Sequence, residues 1–172
     1  MRGHPGGEEH TRRMLELGAL PAGSRILDMG AGAGDAVRLM CSLGYNAAGI
    51  DLDPENDLVI QRDFLHTGYP DGSFDGILSQ CAFFVSGDSD GAVAEARRIL
   101  KPGGILMLSD VFFSEPELSG FRVKIQENQT ALWREYYLGL IWQGEEYGCT
   151  LPAGKCSYWL LIAEKEKDNG SV

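Results

Sequence analysis

Apolar residues come in short runs separated by amphipathic stretches, and this alternation predicts strands and helices in turn. Residues 8–17 set Met14, Leu15 and Leu17 among charges and read as a short helix, followed by the breaker Leu20-Pro21-Ala22-Gly23. Arg25-Ile26-Leu27-Asp28-Met29 reads as a buried strand that runs straight into Gly30-Ala31-Gly32-Ala33-Gly34. Residues 35–43 follow as a helix with Val37, Met40 and Cys41 on one face, and Gly44 ends it as a terminal glycine commonly does. Further strands are expected at 47–51, 58–62, 74–79 and 104–110, with an amphipathic helix over 89–100. Lys101-Pro102-Gly103-Gly104 reads as a sharp stop for that helix. Phe121, Val123 and Ile125 alternate with polar residues as in a half-exposed strand; an aromatic-rich helix covers 130–142 and a last strand 157–163. From Lys165 onward the chain is charged and is expected to fray.

One connection is odd. Only six residues, 52–57, separate the second and third strands. A parallel crossover needs about a dozen. Either the helix there is trimmed to a turn or the third strand is misplaced. Strands alternating with helices otherwise predict a mostly parallel sheet covered on both faces, with ligands at the carboxyl ends of the strands.

Composition narrows the picture. The 172 residues suit one domain, and 44% hydrophobic with 23% charged residues is ordinary for a globular protein. A formal net charge of −10 argues against a nucleic acid or an anionic membrane as partner. No secretory signal is visible at the start, and no apolar run approaches the ~20 residues that span a bilayer. Four scattered cysteines (Cys41, Cys81, Cys149, Cys156) read as reduced thiols, so a cytoplasmic protein is expected.

The chemistry begins at the glycine turn. Gly30, Gly32 and Gly34 let the backbone turn tightly and approach a ligand without Cβ atoms in the way. The sixth position of a nicotinamide fingerprint is occupied here by Asp35, which would repel a pyrophosphate. The turn therefore suits a ligand without phosphates. Asp51 lies 21 residues past Gly30, at a strand end, where a carboxylate can accept both hydroxyls of a ribose.

The runs ILDMGAGAG, GIDLDP, Arg62-Asp63-Phe64 with Pro70-Asp71-Gly72-Ser73-Phe74-Asp75, and RILKPGGILMLSD occur in that order. Together they resemble the motifs of class I S-adenosylmethionine-dependent methyltransferases, and the resemblance extends from about Thr11 to Lys165. It implies a Rossmann-like three-layer α/β sandwich, a mostly parallel sheet of about seven strands with the last antiparallel, and S-adenosylmethionine as cofactor. The whole chain would be a single methyltransferase domain, with residues 1–20 as N-terminal helix and lid and 165–172 as tail. Gly30, Gly32 and Gly34 would pass beside the methionine part. Asp28 would brace the turn or receive its ammonium group. Asp51 would hold the ribose, Leu52 would pack on the adenine, and Asp63 would accept from the adenine amino group. Phe64 would lie beside it or belong to the core, and Ser79 or Gln80 would offer a backbone carbonyl to the ammonium. Asp53, before Pro54, reads as a helix cap.

Methyl transfer from a sulfonium is an in-line displacement whose leaving thioether needs no proton, so alignment and exclusion of water carry much of the catalysis. Candidates above the methyl group are Gln80, Cys81 and Asp110, all at strand ends. Arg2 and His4, with Gly6 and Gly7, are candidates for a lid; as a group His4, His10 and His66 read as surface residues. Ser79 to Phe84 is similar to the matching stretch of arsenite methyltransferases, in which the cysteine binds the metalloid. This chain has no cysteine-bearing extension before it and no cysteine soon after Asp110. Cys81 is thus either a pocket wall or a thiol ligand, and no metal site is expected from Cys149 and Cys156. Trp133, Tyr136, Tyr137 and Trp142 are either core or an apolar cap over an organic acceptor. The primary reading is methyl transfer to a small molecule; transfer to arsenite or a thiol through Cys81, and a non-catalytic cofactor-binding subunit, are the alternatives. With so little room for a substrate domain, a homodimer or a partner protein could complete the pocket.

Overall fold

The computed structural model describes residues 3–143 and 155–167. Helix α1 (Gly7–Gly18) leads into β1 (Arg25–Met29), α2 (Asp35–Ser42), β2 (Asn46–Asp51), β3 (Val59–Gln61) and β4 (Phe74–Gln80). A 3-10 turn (Phe84–Ser86) precedes α3 (Ser89–Ile99), β5 (Leu100–Phe112), β6 (Phe121–Asn128), α4 (Thr130–Gln143) and β7 (Ser157–Lys165). The strands form one seven-stranded sheet in the order β3-β2-β1-β4-β5-β7-β6. Strands β1 to β5 run parallel, and β7 is antiparallel to both of its neighbours. The expected Rossmann-like α/β architecture is therefore present, its last strand antiparallel. The strand order reverses between β1 and β4, which makes the crevice at their carboxyl ends the natural ligand position.

Successive side chains of a strand point to opposite faces, and both faces here are apolar. Ile26, Leu78, Met107 and Leu160 pack with Met14 and Leu15 of α1 and with Leu39 and Met40 of α2. Their sequence neighbours Leu27, Ile77, Leu106 and Leu161 pack on the other face with Ala92, Val93, Ala96 and Ile99 of α3. Each of the larger side chains, fully buried, contributes about 1.5–3 kcal/mol.

Three sequence expectations change. The 52–58 connection holds no helix, so the crossover is trimmed and the third strand is where it was expected. Asp53 therefore caps nothing; its N–H donates to Asp51 Oδ1 at 3.0 Å. The Lys101–Gly104 run lies inside β5 rather than between elements, because Leu100 already turns extended (ψ 139) and ends α3. The pairing slips there from Phe74↔Leu100 to Gly76↔Ile105, a bulge in which Pro102 owes no N–H to the ladder. Lys165 is not frayed. It closes β7, is buried, and donates from Nζ to the Leu100 carbonyl at 2.7 Å. Residues 168–172 of the expected tail lie outside the described residues.

Candidate functional site

The end of β1 is tied to both neighbours. Gly30 and Ala31 donate N–H groups to the Ile50 carbonyl at 2.9 and 3.0 Å, and the Ser79 hydroxyl donates to the Met29 carbonyl at 2.8 Å. The glycines of the turn take φ values of +90 (Gly30), +49 (Gly32) and +76 (Gly34), all in the left-handed region. Their surroundings differ. A Cβ on Gly30 would lie 2.3 Å from the Ala82 Cβ, whereas one on Gly32 would meet nothing within 4 Å. Gly30 is closed by packing, and Gly32 faces open space.

Asp51 stands at the rim of that space. Its carboxylate accepts the Gly32 N–H at 2.9 Å and the Asp53 N–H at 3.0 Å. A carboxylate offers about four lone-pair positions, so acceptor capacity remains for hydroxyl groups. Asp28, next to the turn, is only 4% exposed. Burial, and then the charge of Asp51, push its carboxyl up to about 7, and no basic side chain among the described residues pairs with it. A buried acid without a cation is the position a ligand ammonium would occupy.

The pH consequence is specific. With its value raised from 3.8 to about 7, the folded chain holds a proton that the unfolded chain has lost across that window. Stability contributed by this group therefore falls as pH climbs through the window. A ligand ammonium would restore the ionised form, so binding below about pH 7 should release a proton and strengthen as pH rises toward 7. Calorimetry at mildly acidic pH in two buffers of different ionisation enthalpy measures that proton. Its absence, or its persistence in Asp28→Asn, removes the assignment.

On the side expected for adenine, Leu52 is 61% exposed and available to a ligand. Asp63 is half-buried and accepts the Leu65 N–H at 2.8 Å. Phe64 belongs to the core, with its ring 5.6 Å from that of Phe83 and one edge near Gly30. Ser79 is fully buried; its hydroxyl braces β1.

Beyond β4 the three residues proposed above the methyl group divide. Asp110 is buried and its carboxylate accepts backbone N–H groups from Val111 (2.8 Å) and Phe84 (3.1 Å). Burial raises its value to about 6 against these hydrogen bonds. In this position it braces the loop after β4. Cys81, at the start of that loop, holds a φ of +56, rare for a residue with a side chain. Its Sγ lies 3.3 Å from the Tyr158 hydroxyl, which in turn accepts from Ser109 Oγ. Burial, foremost, holds the Tyr158 hydroxyl well above its ordinary value.

Gln80 gathers His10 and Thr11, which sequence reasoning missed, around the lid candidate His4. Its side chain contacts His4, His10 and Thr11. His10, read from the sequence as a surface residue, is 5% exposed, and His4 is half-buried; His66 is exposed as expected. Nothing local in the sequence marks these contacts, because Gln80 is 70 residues from His10. Arg2, the other lid candidate, lies outside the described residues, as does Cys149.

Two of the four aromatics of the helix, Trp133 and Tyr137, resolve as core. Trp133 and Tyr137 pack with Tyr158, and Cys81, Cys156, Val111 and Tyr136 lie against that cluster. Trp142 is 86% exposed. Among the described residues no group of three His, Cys, Asp or Glu side chains is placed to hold a metal ion. No helix there is long and apolar enough to cross a membrane.

Comparison with known proteins agrees with this geometry. Residues 27–108 match the family described as Methyltransferase domain. The fold superposes with a TM-score of 0.72 on phosphoethanolamine N-methyltransferase 2 of Haemonchus contortus, solved with S-adenosyl-L-methionine, at 20% identity over 95% of this chain and 53% of that one. Residues 27–108 thus match a methyltransferase domain, on a fold shared with S-adenosylmethionine-dependent methyltransferases. S-adenosylmethionine is the cofactor of such domains. In this one Gly32, Asp51 and Asp28 fit its backbone approach, ribose and ammonium. Relatives differ in substrate. A 2-methyl-6-phytyl-1,4-hydroquinone methyltransferase of Synechocystis sp. is 32% identical over 108 residues, covering 55% of this chain and 34% of that protein. An arsenite methyltransferase of Aquipseudomonas alcaligenes is 34% identical over 120 residues, again 55% and 34%. The chain thus spans about a third of the length of these curated relatives.

Proposed function

We propose that this methyltransferase domain transfers the methyl group of S-adenosylmethionine to a small, largely apolar organic acceptor held above Gln80 and Cys81. The observation that carries the cofactor half is Asp28, a buried acid without a cation beside an open glycine backbone and a ribose-ready Asp51. The acceptor half is supported by the partly buried Cys81 and Tyr136, which lie against the core cluster of Trp133, Tyr137 and Tyr158. Sites for organic ligands are lined mostly by apolar and aromatic side chains. The cofactor, when bound, supplies an electrophilic methyl on a sulfonium. The chain's own part is to hold Gln80, Cys81 and the N-terminal lid in fixed positions and to keep water out. Reduced Cys41, Cys81 and Cys156 suit the cytoplasm. The exposed Leu138, Ile141 and Trp142 of α4 suit closure of the pocket by a second copy or a partner protein.

Arsenite is the second reading. Its support is that Cys81 and Cys156 pack against the same aromatic cluster and that one relative is an arsenite methyltransferase. Release of S-adenosylhomocysteine, followed with hydroquinones, phenols, amines or arsenite as acceptor, separates the readings. We expect turnover with an organic acceptor, and Cys81→Ser to change it less than about threefold, since a free cysteine acts as a small hydrophobe. Arsenite-dependent release that vanishes in Cys81→Ser, because a hydroxyl is a poor ligand for a soft centre, overturns the organic reading. Cofactor binding without release on any acceptor points to a non-catalytic subunit.

A further inference from the structure

Helix α4 is apolar on two opposite faces. Helix α1 turns Glu8, Glu9, Arg13 and Glu16 to water and buries Met14 and Leu15, as a surface helix should. On α4 the inner face carries the buried Trp133 and Tyr137, yet Leu138, Ile141 and Trp142 are exposed on the outside. A helix that is apolar all round is one whose outer face is covered as well. Residues at i, i+3, i+4, i+7 and i+11 share a helix face. Ala131, Arg134, Glu135, Leu138 and Trp142 therefore form one exposed stripe, with Ile141 at its margin.

Charge narrows what can cover that stripe. Arg134 and Glu135 are the only charged side chains of α4, so the helix carries no net charge in a chain of −10. An acidic chain meets another copy of itself at least cost through a neutral surface. A membrane surface fits less well, because helices that lie in it are rich in Lys and Arg, and here the one Arg is offset by Glu135. The stripe is also complementary to itself. Arg134 and Glu135 flank its midline, and among the described residues neither makes an ion pair. A two-fold axis between them lays a second α4 antiparallel on the first and sets each Arg134 beside Glu135 of the second copy. The same axis sets Leu138 over Ala131 of the second copy, a large side chain on a small one, because the two are equidistant from it. Ile141 and Trp142 then lie at the two ends of the contact.

We propose that this chain forms a two-fold dimer through the outer face of α4, with Arg134–Glu135 ion pairs across the axis and Leu138 packed on Ala131. The dimer stands independently of the cofactor reading of the glycine turn. It bears on the acceptor side, because the inner face of the same helix meets the cluster against which Cys81 lies. A helix of 14 residues is about 21 Å long and about 10 Å wide, a patch at the small end of specific interfaces. The dimer is therefore weak, with a dissociation constant in the micromolar range.

Sedimentation velocity of the full chain from about 1 μM to about 500 μM brackets that affinity. The wild type should pass from monomer to dimer and stop there, since a two-fold contact closes on itself. Leu138→Lys should leave the chain monomeric across that range. Arg134→Glu and Glu135→Arg should each weaken association by about threefold or more, since two exposed ion pairs are reversed at once, and the double variant should restore it. General repulsion between acidic chains predicts the opposite for Glu135→Arg, which makes the chain less acidic. All three positions are exposed, so circular dichroism should show a native fold in every variant. A monomer at every concentration overturns the proposal, including one that binds phosphatidylcholine vesicles through this face instead. So does a dimer indifferent to Leu138→Lys, or a double variant that associates no better than the single ones.

Discussion

Gly30→Val is expected to be strongly destabilised, while Gly32→Val is expected to fold and fail to bind cofactor. The two glycines are two residues apart in one turn, and both have positive φ, so sequence alone treats them alike. The structure separates them. At Gly30 a Cβ would sit 2.3 Å from the Ala82 Cβ, on the loop that Asp110 braces, with a φ of +90 besides. Backbone strain of about 1–3 kcal/mol and overpacking of about 1–3 kcal/mol add, against a typical stability of only 5–15 kcal/mol. At Gly32 the φ of +49 still strains a branched residue, but nothing lies within 4 Å to be displaced. Its cost to stability should stay near the strain alone, about 1–3 kcal/mol, whereas its methyl groups fill the space in which the ligand must lie. Thermal unfolding and cofactor titration of both variants check this. A stable, well-folded Gly30→Val, or a Gly32→Val that binds normally, would contradict the geometry.

That contrast also marks the limit of what the sequence discloses. Strand and helix positions were legible because the central strands bury both faces and helices α1 to α3 one, a periodicity written in neighbouring residues such as Ile26 and Leu27. The glycine turn and Asp51 were legible for the same reason, since their spacing along the chain sets their spacing in the fold. The Lys101–Gly104 run misled because proline and glycine mark a bulge inside a strand as readily as a turn outside one. The bracing by Asp110 was not legible, because the sequence does not show that a strand-end acid meets the N–H groups of Val111 and Phe84. The contacts of the histidines were beyond reach altogether. His4 and His10 meet Gln80 across 76 and 70 residues, and no local pattern encodes that meeting.

The second large effect concerns Asp51. Asp51→Ala removes the acceptor for the Gly32 and Asp53 N–H groups and, on this account, the partner of the ribose hydroxyls. The loss to the fold should be small, because both N–H groups lie at the rim of the open space and water can replace the carboxylate. The loss to binding should be about 1.5–3 kcal/mol, the range for hydrogen bonds to a charged group, which is roughly ten- to a hundred-and-fifty-fold in affinity. Asp51→Asn should fall between, since one carboxamide oxygen can still accept. The most direct test is calorimetric titration of S-adenosylhomocysteine into the wild type and Asp51→Ala, with circular dichroism to verify the fold of each. The account predicts one site per chain in the wild type and at least tenfold weaker binding in a natively folded Asp51→Ala. No binding to the wild type, or equal affinity in the two, would contradict it.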